Sequence, residues 1–146
     1  MLTRRPNPQA PQADAGSAGA DDLLADVDPT VLEVEALRRL AELDPTGANR
    51  LLQRVFQAFE SSAQRMLPQV HAALGAGDLA GVRHVAHTLK SSSASIGAIK
   101  LSRLCAEIET MVRLETVDGL PGRIAEMDRE TTAVLQALRR ISSAAT

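Results

Sequence analysis

Two of the chain's three histidines, His84 and His87, stand in one short run, HVAHTLKSSSASIG, with Arg83 and Lys90 close by and four serines following. A neutral imidazole can take up and release a group near neutral pH, because one ring nitrogen keeps a free lone pair without a strong base beside it. Neighbouring cations suit a phosphoryl group or an acidic protein surface. Whether His87 is available for such chemistry depends on the face it occupies. With residues spaced ~100° apart on a helix, Val82, Val85, Ala86, Leu89, Ser93 and Ile96 gather in one direction and form the stripe to be buried. His87 lies roughly 140° from that stripe and faces water. Arg83 and Lys90 flank it, while Ala80, Ser91 and Ala94 are small and leave the ring open to another macromolecule. An ordinary solvated helix face has the same look, so residue types alone leave both readings standing. His84 and His71 read as surface, since an i, i+3 histidine pair lacking a nearby Cys or carboxylate is a poor metal site. No metal site is predicted.

The elements that must position His87 are all helical. Asp28-Pro29 and Asp44-Pro45 each set a capping residue before a proline, which predicts two helix starts there. The first helix is short, ends near Leu43 and is anchored by Leu32, Leu37 and Leu40. The second is long: Leu52, Val55, Phe56, Phe59, Met66, Leu67, Val70 and Leu74 recur at three- and four-residue steps up to Gly75-Ala76-Gly77. Pro68 removes a backbone donor and crowds the carbonyl of Gln64, predicting a kink or a short break. Asp78 caps the helix that carries His87, and Gly97 marks either its end or a close backbone contact. A fourth helix sets Leu101, Leu104, Cys105, Ile108, Met111 and Val112 on one side, making Cys105 a buried structural thiol. The last repeats Leu120, Ile124, Met127, Thr131, Val134, Leu138 and Ile141 along one seam. No strand-like alternation and no solenoid repeat is visible. The expected fold is all-α, an antiparallel up-down four-helix bundle with a short additional N-terminal helix.

Composition narrows the function classes. The chain's 146 residues suit a single domain. Residues 1–27, with PNPQAPQADAGSAGADD among them, offer almost nothing to bury and read as a disordered tail before a folded unit over 28–146. Aromatics are only 1% of the chain, so aliphatic residues and Met must build the core. A net charge of −2 without a basic run argues against nucleic-acid binding. The single cysteine excludes an internal disulfide and fits a reducing compartment. No apolar run approaches the ~20 residues of a membrane span, and no secretory signal is evident, so a cytoplasmic protein is expected.

Beyond this, AHTLKSSSASIGAIKLSRLCAEIE, Ala86 to Glu109, resembles the signature of histidine-containing phosphotransfer domains, the HPt family of bacterial phosphorelays. In that pattern a histidine is followed by any residue, Leu, Lys and Gly, then by five further residues and Gly. His87, Leu89, Lys90 and Gly97 occupy matching positions. Leu101, Leu104, Cys105 and Glu109 fit the helix that follows, with its Cys-x-x-(Ile/Leu)-Glu ending. The similarity extends more loosely from Asp44 to about Ile141. Ser91 replaces the glycine that usually follows the lysine, and its hydroxyl either narrows the range of partners or offers a hydrogen bond.

The resemblance implies that His87 accepts a phosphoryl group from the aspartyl phosphate of a receiver domain and passes it to another. Lys90 would hold the phosphoryl oxygens, Arg83 would add electrostatic support, and Ala80, His84, Ser91 and Ala94 would form a shallow patch for the receiver. Partners would be receiver domains of hybrid histidine kinases and response regulators. Mg²⁺ would sit on the receiver and no cofactor on this chain. Without a glycine-rich nucleotide loop, the chain is expected to be a phosphocarrier and not a kinase, acting as a separate, monomeric shuttle. A non-transferring adaptor that titrates a receiver is the alternative. The phosphoacceptor region of a sensor kinase fits less well, because Thr88 stands where that family usually has an acidic residue. A metal enzyme built on His84 and His87 has no third ligand to name. What orients the ring of His87 is not legible.

Overall fold

The computed structural model describes residues 23–145, among which every regular element is a helix. In chain order these are α1 (Val34–Glu42), α2 (Leu51–Gly75), α3 (Leu79–Ser95), α4 (Ile99–Arg113) and α5 (Leu120–Ala145). The connections 76–78, 96–98 and 114–119 are short, which makes sequential neighbours antiparallel. Packing of α2 on α3, α3 on α4, α4 on α5 and α5 back on α2 closes the ring, and α1 lies against α2. The core is aliphatic as composition demands, with Leu89, Ile96, Leu101, Ile108, Ile124, Met127 and Leu138 almost fully buried. Among the described residues, no helix is long and apolar enough to cross a membrane.

Two helix starts lie further along the chain than expected, because neither aspartate opens a helix directly after itself. Asp28 accepts from the backbone N–H and the hydroxyl of Thr30, and a turn through Leu32 precedes α1, which begins only at Val34. Asp44 accepts from the backbone N–H of Asn49 and that of Leu51, so it caps α2 from across a loop, and α2 begins at Leu51. The break considered at Pro68 is absent, and α2 runs continuously from Leu51 to Gly75. Pro68 and Gln64 both lie on the exposed side, where water can satisfy the carbonyl that the proline leaves free. Most of the expected tail lies outside the described residues, but its last part packs: Leu24 is buried and Leu23 and Val27 lie against the core.

Gly97 fills both roles considered for it. Its φ of +80° ends α3 in a conformation that suits glycine, and its carbonyl accepts the Glu33 N–H at 2.7 Å. A Cβ there would lie 2.9 Å from the Glu33 carbonyl oxygen and from the Ala36 side chain. The α3–α4 turn is thereby pinned under α1, which fixes the end of the helix that carries His87.

Candidate functional site

The stripe assigned to the core on α3 is buried throughout: Val82, Val85, Ala86, Leu89, Ser93 and Ile96 all lie inside. That burial fixes the rotation of α3 about its axis and turns His87 outward, with its side chain 63% exposed. Asp78 starts the helix by accepting from the Gly81 N–H at 2.9 Å. Across the seam, the Ser102 hydroxyl of α4 donates to the Lys90 carbonyl at 3.0 Å and sets the register of the two helices.

In this register α4 brings Glu109 level with the histidine. His87 Nδ1 lies 2.7 Å from Glu109 Oε2, and Lys90 Nζ donates to Glu109 Oε1 over the same distance. Glu109 is 20% exposed, and the Lys90 hydrogen bond, followed by that of His87, holds its carboxyl below the usual carboxylate range. An ionised carboxylate only accepts, so Nδ1 must be the nitrogen that donates. The ring is thus held in the tautomer that leaves the Nε2 lone pair free on the solvent side. Glu109 is the group that orients the imidazole. Sequence reasoning counted it only as part of a motif, although its spacing from Ser102 along α4 places both on one helix face.

The remaining candidates take simple places. Arg83, His84, Ala80, Ser91 and Ala94 are all exposed on the outer side of α3, and Lys90 is half-buried beneath its ion pair. Neither Arg83 nor His84 has an ion-pair partner among the described residues. Ser92 and Ser95 spend their hydroxyls on carbonyls one turn back, whereas Ser91 does not. Leu89 is fully buried behind the site. His71 is half-exposed but engaged: its Nε2 meets Asp128 of α5, linking α2 to α5. Cys105 is buried behind Lys90 and Glu109, and burial pushes its thiol up to about 12, which leaves no thiolate to act as a nucleophile. No group of three or more His, Cys, Asp or Glu among the described residues could hold a metal ion.

Comparison with known proteins adds to this geometry. No curated protein sequence matches. Among solved structures, histidine-containing phosphotransfer protein B from Pseudomonas aeruginosa PAO1 is similar, with 30% identity and a TM-score of 0.66 over 77% of this chain and 95% of that one. A rice protein described as a histidine-containing phosphotransfer protein shares the fold, with 20% identity and a TM-score of 0.73 over 89% of this chain and 95% of the other. The model of the Hpt domain matches residues 54–141, a span that takes in His87, Lys90 and Glu109. With an outward imidazole oriented by a carboxylate on a helical bundle, and with the family model matching more than half of its length, the chain belongs to the Hpt domain family.

Proposed function

We propose that the protein is a phosphorelay intermediate in which Nε2 of His87 takes a phosphoryl group from the aspartyl phosphate of one receiver domain and delivers it to the aspartate of another. The observation that carries this reading is the 2.7 Å contact between His87 Nδ1 and Glu109, which leaves the second ring nitrogen free and facing outward. In the forward step the Nε2 lone pair forms the N–P bond. The bond from phosphorus to the receiver's aspartyl oxygen breaks, and its electron pair returns to that carboxylate. The proton stays on Nδ1. A ring protonated there and phosphorylated on Nε2 carries positive charge, which the Glu109 carboxylate balances. Delivery is the reverse of these events.

Lys90 would serve the phosphoryl oxygens by leaving or sharing its bond to Glu109, since an ammonium on a flexible stem can swing between two anions. Arg83 would strengthen the local positive field, and Ala80, His84, Ser91 and Ala94 would let the receiver approach closely. Receiver domains of hybrid kinases and response regulators are the partners in this reading. They supply Mg²⁺ and the acidic pocket, while this chain works as a cytoplasmic, monomeric carrier without kinase activity of its own.

The test is transfer from a phosphorylated receiver with Mg²⁺ to the native chain and to His87→Gln, followed as acid-labile phosphate on the protein. Label on the native chain that is missing from His87→Gln is the expected result. No label on a folded native chain across a panel of receivers would move the reading to an adaptor that binds receivers without exchanging phosphate.

A further inference from the structure

We propose that the uncommitted hydroxyl of Ser91 donates a hydrogen bond to the phosphoryl group on His87, from the flank opposite Lys90. The inference rests on the phosphocarrier reading and deepens it, because a glycine at this position has no hydroxyl to give. On a wheel of ~100° per residue, Lys90 lies about 60° from His87 on one side and Ser91 about 40° on the other. Lys90 is on the side of α4, since its ammonium and Nδ1 of His87 share the Glu109 carboxylate. With Nδ1 turned to α4, Nε2 at the other edge of the ring is turned toward the Ser91 side. A short helical side chain covers the turn N-terminal to its own Cα, and for Ser91 that is the turn from which His87 rises. Lys90 and Ser91 thus bracket the nitrogen that takes the phosphoryl group.

The hydroxyl is also free. Serine and threonine inside a helix commonly donate to the carbonyl four residues back. Ser92, Ser95, Thr131 and Thr132 all do so here. Ser91 has the His87 carbonyl at the same offset, yet its exposed hydroxyl makes no hydrogen bond among the described residues. Ser93 faces the core and cannot reach the site. Negative charge is spread over the phosphoryl oxygens as the group moves, so a donor on the flank that Lys90 does not cover stabilises the transfer. The same bond favours the dianion of the phosphorylated ring over its protonated form.

Native chain, Ser91→Ala, Ser91→Gly and Ser95→Ala are each labelled in two ways: by a phosphorylated receiver with Mg²⁺, and by phosphoramidate alone, from which ammonia leaves as the N–P bond to His87 forms. The phosphorylated chains are then titrated by ³¹P NMR, and melting of each variant is recorded alongside. Ser91→Ala and Ser91→Gly are expected to slow phosphoramidate labelling about three- to tenfold, and Ser95→Ala to stay within about twofold. The ³¹P midpoint should rise in both Ser91 variants and hold in Ser95→Ala. Arg83, His84, Lys90 and Glu109, the titratable groups around the phosphate, are the same in every chain, so a moved midpoint reports the lost hydroxyl. Alanine favours the helix and glycine weakens it, which separates the hydroxyl from helix stability. A native rate or a native midpoint in Ser91→Ala would overturn the proposal. Slowing in Ser91→Gly alone would trace to the weakened helix, and slowing confined to the receiver reaction would make Ser91 a docking residue; either overturns it too. A native chain that takes no label from either donor overturns the phosphocarrier reading itself, an outcome distinct from the others.

Discussion

At the scale of single residues, the chemistry turns on which nitrogen of His87 keeps its proton, and the answer comes from a residue distant in sequence. His87 and Lys90 were legible because they share a short run whose helical period separates a buried stripe from an open face. Glu109 was not, because its partnership depends on the register between α3 and α4, which the Ser102 hydroxyl and the pinned turn at Gly97 set in three dimensions. Replacing Glu109 by Ala removes the acceptor for Nδ1–H and frees Lys90 at once. Transfer is expected to fall about ten- to a hundredfold, the scale seen when a group that orients an imidazole is removed elsewhere. ¹⁵N shifts of His87 should report the Nδ1–H tautomer in the native chain and a mixture in Glu109→Ala; the same tautomer in both would sink the assignment. The pH dependence follows in sign. The folded-state pKa of Glu109 is depressed, so its contribution is complete above the ordinary carboxylate value of 4.5 and is lost as pH falls through the lowered one. As pH falls below 4.5 the Lys90–Glu109–His87 link should therefore outlast the protonation of ordinary exposed carboxylates, as side-chain NMR of Glu109 can show. Cys105 has the opposite sign. Its raised pKa stabilises the fold up to about pH 9, and that contribution drains away as pH rises toward about 12. The loss of denaturant resistance across that window should be shallower in Cys105→Ala than in the native chain.

At the scale of elements, periodicity located the four long helices and their buried sides, because three- and four-residue spacing of aliphatic residues survives any choice of loop. It misplaced the starts of α1 and α2, because an aspartate before a proline signals a cap without saying how far ahead the capped helix lies. Asp44 reaches Leu51 across a whole loop. Pro68 makes a related point: the expected break assumed that the freed carbonyl would be costly, yet it lies on the side open to water. Proline still lacks the donor that any other residue would supply there. Pro68→Ala should accordingly raise stability by about 1–3 kcal/mol in urea unfolding, the lower end allowing for the looser unfolded chain. An unchanged midpoint would mean that α2 relaxes around the proline at no cost. Gly97→Ala should do the reverse. A Cβ at φ +80° and 2.9 Å from the Glu33 carbonyl oxygen combines strain with a backbone clash, for an expected loss of about 2–3 kcal/mol.

At the scale of the whole molecule, stability and chemistry are carried by different parts of the bundle. The proposed site is confined to the seam of α3 and α4, whereas the segment from Leu23 to Leu43 closes one end of the core. Leu24, Leu32 and Leu37 are buried there, and Glu33 holds the α3–α4 turn through Gly97. Each of these leucines contributes on the order of 1.5–3 kcal/mol by burial, so a chain beginning at Asp44 should lose several kcal/mol. The truncation keeps Asp44 to cap α2, together with the two ties that join α2 to α5, Glu60–Arg139 and His71–Asp128. The four-helix ring can then persist at low temperature. If Glu109 and Ser102 are sufficient to orient His87, the shortened chain should melt well below the native one yet show the same His87 tautomer and nearly native phosphoryl transfer when held below its transition. A folded truncated chain with a disordered His87 ring would place part of the orienting work in α1, acting through Gly97 on the end of α3. The reach of α1 would then extend from the end of the core to the phosphoacceptor.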